Sequence, residues 1–131
     1  SSNGFELLFS ANLKSLNRLS IQKCTHFNNH SLQALANSKN MGELIELKLV
    51  GSCVTDESVI EFCKTENAIP IKKFDLSQNH FISGKCFNEI LSNRNEYVPN
   101  LEVLLCRSNQ VSVKNTLEYF SKHSRGIDII F

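Results

Sequence analysis

Four side chains come nearest to a metal-ligand set: Cys24, His26, His30 and Cys53. Structural zinc sites draw such ligands from CxxC pairs or from histidines one turn apart on a helix, and the chain has no CxxC and no HxxxH on one predicted helix. These residues read as turn and surface positions, and no metal is expected. Cys86 falls at the start of a predicted helix, where a thiolate is favoured, but nothing in the sequence pairs a base with it, so no catalytic residue is expected. None of the five glycines forms GxxxxGK or GxGxxG, and Gly84-Lys85 follows a turn without the rest of a phosphate loop. The sequence therefore predicts no enzyme, no cofactor and no small-molecule substrate.

Composition narrows the field further. The chain of 131 residues is 41% hydrophobic and 21% charged, ordinary values for one globular domain. A net charge of +1 gives no field to recruit nucleic acid, and Lys39, Lys72 and Lys73 do not make a basic stripe. No apolar run approaches the roughly 20 residues that span a bilayer. The opening SSNGFELLF has neither a basic region followed by a long apolar one nor an initiator Met. It is read as the start of a piece of a longer protein without a secretory leader. Five cysteines, an odd number without clustered spacing, point to reduced thiols and an intracellular, cytoplasmic setting. The Asn29-His30-Ser31 glycosylation sequon is the counter-signal.

What could position any site is a repeat. The stretch from Ile71 to Phe81, IKKFDLSQNHF, follows LxxLxLxxNxL, and the template recurs. Leu16, Leu44, Ile71 and Leu101 align at intervals of 28, 27 and 30 residues. Leu19, Leu47, Phe74 and Leu104 fill the second slot, and Ile21, Leu49, Leu76 and Cys106 the third. Cys24, Ser52, Asn79 and Asn109 fill a polar slot; Phe27, Val54, Phe81 and Val111 close each unit, Phe27 one residue late. Apolar residues alternating with polar ones predict a short strand in each unit. An asparagine at the polar slot can bond backbone groups of its own and the adjacent turn.

This pattern resembles the leucine-rich repeat family, in its ribonuclease-inhibitor-like class, over roughly residues 13 to 131. LNRLSIQKC, LIELKLVGS, IKKFDLSQN and LEVLLCRSN carry the resemblance. Cys24 matches the cysteine-containing variant common in F-box proteins, and Ser52 departs from Asn or Cys. The resemblance implies an α/β fold: a short right-handed α/β horseshoe segment, with a parallel sheet on the concave side and helices on the convex side. It also implies a single domain over 1–131. Residues 1–12 would form a helix or cap, or the end of a preceding repeat; repeats would start near 13, 41, 68 and 98, and 126–131 would form a closing strand.

Local signals give the elements. Strands are expected at Leu19–Ile21, Glu46–Leu49, Lys73–Leu76, Val103–Cys106 and Ile127–Phe131. Helices are expected over 3–11, Ser31–Ser38, from Thr55 or Asp56 to Cys63, from Ser83 or Gly84, and from a Ser112 cap to Gly126. Phe5, Leu8 and Phe9 would mark one face of the first helix, and Val59, Ile60 and Cys63 the buried stripe of the third. Asn67 and Pro70 would end that third segment, and Asn93–Pro99 would be a loop.

The residues between core positions should face away from the helices. They alternate in charge, as Arg18–Glu46–Lys73 and Lys48–Asp75, which predicts solvated ion pairs. Val103, Leu105 and Ile130 would instead form an exposed apolar cluster, flanked by Lys48, Asp75 and Arg107, and such a cluster suggests an interface. The reading is a non-enzymatic scaffold that binds another protein through its concave face. Alternatives are a GTPase-activating domain, a ubiquitin-ligase substrate receptor, or a purely structural end of a longer solenoid.

Overall fold

The computed structural model describes residues 2–11, 13–38, 41–64 and 69–131. Lys39, Asn67 and the boundaries placed at 1, 12 and 68 lie outside the described residues. In chain order the elements are α1 (Ser2–Ser10), β1 (Arg18–Gln22), α2 (Asn29–Asn37), β2 (Glu46–Val50), α3 (Asp56–Cys63) and β3 (Lys73–Asp75). Then follow α4 (Gly84–Ser92), α5 (Arg94–Tyr97), β4 (Val103–Leu105), α6 (Val111–His123) and β5 (Asp128–Ile130). The five strands form one parallel sheet in the order of sequence.

One face of the sheet carries Ile21, Leu47, Leu49, Phe74, Leu76, Leu104 and Cys106 into the core, where Leu32, Leu35, Val59, Ile60, Phe87, Ile90, Leu117 and Phe120 meet them from the helices. Leu19 is half-buried, since β1 is an edge strand and no further strand flanks it. Phe5 and Phe9 of α1 close that end by packing on Phe27 at ring separations of 4.9 and 6.5 Å. Leu8 is exposed although it shares their spacing, and in α3 Phe62 is buried while Cys63 is only half-buried.

The first four strands each leave the sheet through one left-handed residue: Lys23 (φ 52°), Gly51 (φ 67°), Gln78 (φ 59°) and Ser108 (φ 58°). They recur at the intervals of the sequence repeat, one residue before each polar slot. Only Gly51 adopts this conformation without a Cβ penalty. Gln78 is exposed and its side chain makes no hydrogen bond among the described residues. Gln78→Gly is therefore expected to stabilise the chain by up to about 1 kcal/mol, after allowing for the added freedom of the unfolded state. A urea midpoint equal to or below that of the parent chain would contradict this.

The helix starts are tied to one another. The Asn28 side chain accepts from the N–H groups of His30 and Ser31 at 3.0 and 3.2 Å and caps α2. Asn29 then bonds the next cap residue, accepting from the Thr55 N–H at 3.0 Å and donating to Thr55 Oγ1 at 3.1 Å. Asp56 repeats this one unit on, accepting from the Ser83 N–H at 2.9 Å and from its hydroxyl. In the last unit the Gly84 N–H donates to Ser112 Oγ at 3.1 Å. Ser112 thus lies inside α6 and serves the neighbouring helix, while Gln110 occupies the cap position.

Two other expectations are corrected. The segment 93–99 contains the short helix α5, whose start the Asn93 carbonyl anchors by accepting from Glu96 and Tyr97. Phe81 and Val111 do not close their units: they are 60% and 73% exposed. The chain makes one more tight turn after Asn79, in which the Ile82 N–H donates to the Asn79 carbonyl at 3.3 Å, and this delivers Ile82 to the core. The Phe27 N–H makes the matching bond to the Cys24 carbonyl at 3.1 Å. In the last unit α6 begins at Val111, and its first inward position is Val113.

Candidate functional site

The sheet face turned away from the helices is built in rows by the strand register. One row runs Arg18, Glu46, Lys73, Val103, Asp128, and the next runs Ser20, Lys48, Asp75, Leu105, Ile130. Leu105 and Ile130 are direct neighbours on β4 and β5, with Val103 two residues before Leu105. All three are half-buried rather than fully exposed. They form a contiguous apolar strip along the end of the open face.

The charges around the strip differ from the expected alternation. Arg18 pairs with Glu46 at 3.5 Å with both side chains open to solvent, a contact worth under about 1 kcal/mol. Lys73 makes no pair with Glu46, nor Lys48 with Asp75, at 4.0 Å or less. Asp75 is only 8% exposed and does not flank the strip as a free charge. Its carboxylate turns along its own strand and accepts the Ser77 N–H at 3.0 Å, fixing the strand exit. Ser77 is also buried, and its hydroxyl accepts the Arg107 N–H at 3.0 Å. The Lys48 and Arg107 side chains remain exposed and unpaired among the described residues.

Beneath the face, the polar slots carry a buried network. Asn79 is 0% exposed. Its amide donates to the carbonyls of Leu49 at 2.7 Å and Leu76 at 2.8 Å, and its Oδ1 accepts from the Ser52 N–H at 2.9 Å and hydroxyl at 2.7 Å. Asn109 extends it by accepting the Asn79 N–H at 2.8 Å and donating to the Leu76 carbonyl at 3.0 Å. Ser52 thus completes the network as a small partner that leaves room for the neighbouring amide.

No protein-family model and no curated protein sequence matches the chain. The chemistry of its residues must therefore be judged from the geometry alone.

All five cysteines are free, and Cys86 and Cys106 are buried. The helix start does not activate Cys86: burial and the neighbouring Asp56 carboxylate push its thiol far up, away from the nucleophilic form. Burial likewise pushes Cys63 up to about 12 and Cys106 well above the usual thiol range. Among the described residues no group of three or more His, Cys, Asp or Glu side chains could hold a metal ion. The acceptor of the sequon, Asn29, is spent on Thr55, and Ser31 is fully buried. The hollow between Phe62, Phe74 and Tyr97 holds about 90 Å³, below the roughly 300–1,000 Å³ of ligand pockets, whereas an open groove of about 470 Å³ lined by Asn29, Gln33, Glu57, Glu61 and Lys64 falls within that range. No described helix is long and apolar enough to cross a membrane.

One surface feature escaped the sequence pattern. Gln110 donates to the His80 carbonyl at 2.8 Å, which draws the turns carrying Phe81 and Val111 together. The repeat template assigns both residues to the core; the turn from Asn79 to Ile82 exposes Phe81, and Val111 is exposed as the first residue of α6.

Proposed function

We propose that the chain is a leucine-rich repeat domain of the ribonuclease-inhibitor-like class that binds another protein through its open sheet face and does no chemistry itself. The observation that carries this reading is the apolar strip of Val103, Leu105 and Ile130, half-open to solvent on a face otherwise lined by polar and charged side chains. Support for the repeat class comes from the strand order, the recurrence of the left-handed residue at the sequence period, and the asparagine bonds that join neighbouring turns. The mechanism is presentation. A surface held by backbone pairing and buried side-chain bonds loses little freedom on binding. Five free thiols and an engaged sequon asparagine support an intracellular setting. The alternatives are a GTPase-activating or substrate-receptor domain, or a purely structural end of a longer solenoid. The activating role needs free polar groups at the strand ends, whereas Asn79 and Asn109 are committed to the turns.

Leu105→Asp tests the reading. Burying a leucine contributes about 1.5–3 kcal/mol, so the substitution should weaken capture of the partner that the parent chain draws from cell extract at least tenfold. The thermal midpoint should fall by no more than about 5 °C. Loss of folding would assign Leu105 to the core. Equal capture by a folded variant would remove the strip from consideration and turn attention to Phe81 and Val111.

A further inference from the structure

We propose that the open sheet face takes an acidic peptide segment: one large apolar side chain sits on Leu105 and Ile130, and flanking carboxylates reach Lys48, Lys73 and Arg107. This deepens the protein-binding reading above and rests on it.

The argument is one of charge left over. Lys48, Lys73 and Arg107 are exposed, and the three ion pairs among the described residues use none of them. The carboxylates that could have balanced them are committed elsewhere. Glu46 is drawn to Arg18, and Asp75 is buried against the Ser77 N–H. Only Asp128, on the outermost strand, remains on these rows as an unpaired acid. On this face the four cations Arg18, Lys48, Lys73 and Arg107 stand against the three acids Glu46, Asp75 and Asp128, a small positive surplus in which Lys48, Lys73 and Arg107 make no ion pair.

The spacing suits one extended segment. Neighbouring strands lie about 4.8 Å apart and alternate residues of a strand about 6.6 Å apart. At the backbone, Lys73 is therefore about 8 Å from Leu105 and Lys48 about 10 Å, while Arg107 stands in the turn that follows β4. Side chains on either side of an apolar anchor in an extended peptide cover that range. A second copy of this chain is a poor occupant, since a face with surplus positive charge would meet its like. Single-stranded nucleic acid is also a poor fit, because neither row, nor Gln22, Val50, Ser77 and Arg107 beyond them, offers an aromatic ring for base stacking.

The test is selection of a phage-displayed random nine-residue peptide library on the 131-residue chain, followed by fluorescence anisotropy with the selected peptides. The expected peptides carry Asp or Glu on both sides of Leu, Ile or Phe. Their affinity should drop at least tenfold between 50 and 500 mM NaCl, as roughly expected for screened surface charges. It should drop at least tenfold in Lys48→Glu/Lys73→Glu and in Leu105→Asp. Replacing the peptide's acids by lysine should restore binding to the double charge variant. If that variant fails to fold, Lys48→Gln/Lys73→Gln carries the same test with an expected loss of about fivefold. Neutral or basic peptides that still require Leu105 would overturn the acidic class and leave the surface reading standing. Peptides indifferent to Leu105→Asp would overturn both. Failure to enrich any peptide, or displacement of the selected peptides by oligouridylate, would overturn the proposal alone.

Discussion

Asn79→Ala is expected to destabilise the chain by roughly 3–5 kcal/mol. The alanine cannot donate to the Leu49 carbonyl or accept from the Ser52 N–H and hydroxyl. Each buried group left unsatisfied costs about 1–3 kcal/mol. The Leu76 carbonyl suffers less, because Asn109 still donates to it. The penalty spreads over two turns, since the Asn79 side chain joins the end of β2 and the Ser52 turn to its own turn, while the link to Asn109 runs through the Asn79 backbone N–H and survives the substitution. Asn109→Ala provides the comparison. Asn109 is half-buried, so water can replace part of its bonding, and a loss of about 1–2 kcal/mol is expected. Urea titration of the three proteins measures both. A loss below about 1.5 kcal/mol for Asn79→Ala would mean that solvent enters the turn and that the network is not sealed.

Gly84→Ala is the second large effect, and its sign is informative. Intrinsic helix propensity favours alanine over glycine by up to about 1 kcal/mol. Here a Cβ would sit 2.6 Å from the Ser112 carbonyl oxygen and closer still to Thr116 Oγ1. The first of these is backbone and cannot rotate away, so α6 must move off α4 and weaken the Gly84 N–H to Ser112 Oγ bond. A net loss of roughly 2–3 kcal/mol is expected, typical of overpacking. Adding Thr116→Ala should recover less than half, since it relieves only the hydroxyl contact. A neutral or stabilising Gly84→Ala would show that the two helices have room to separate.

Much of the fold is legible because the repeat fixes which residues share an environment. Leu47, Leu49, Phe74, Leu76 and Leu104 recur in the same slots of the repeat, and all five are buried. The polar slot was equally readable: an asparagine has both donors and acceptors, and at the end of a strand it has unpaired backbone groups to meet. The turns were not legible at single-residue level. The template places an apolar residue two positions after the asparagine, but the turn closed by the Ile82 N–H on the Asn79 carbonyl sets the inward position three residues on, at Ile82 and not Phe81, and both candidates are large and apolar. Gly51 marks a left-handed residue, whereas Lys23, Gln78 and Ser108 give no compositional sign of one.

For the candidate site, strand alternation was enough to foresee that Leu105 and Ile130 would be neighbours. It could not foresee the fate of Asp75, because a carboxylate two residues before a turn N–H can face solvent or fold back, and local hydrogen bonding decides between them. The α6 cap was misread for a related reason. Ser112 is a good capping residue by type, but its hydroxyl is claimed by Gly84 of the neighbouring helix.

The side-chain ties between units are unevenly distributed. The seam between β2 and β3 is crossed at the strand exits by Ser52–Asn79 and at the helix starts by Asp56–Ser83. The seam between β3 and β4 is crossed by Asn79–Asn109 and Ser112–Gly84. Between β4 and β5 only backbone pairing joins the strands among the described residues. Amide protons at the β4–β5 seam should therefore exchange with deuterium through local opening long before those at β2–β3, which wait for disruption of the whole chain. Leu105 and Ile130 straddle that loosest seam, so a ligand bridging them would slow exchange there first and act as a clasp on the outermost strand.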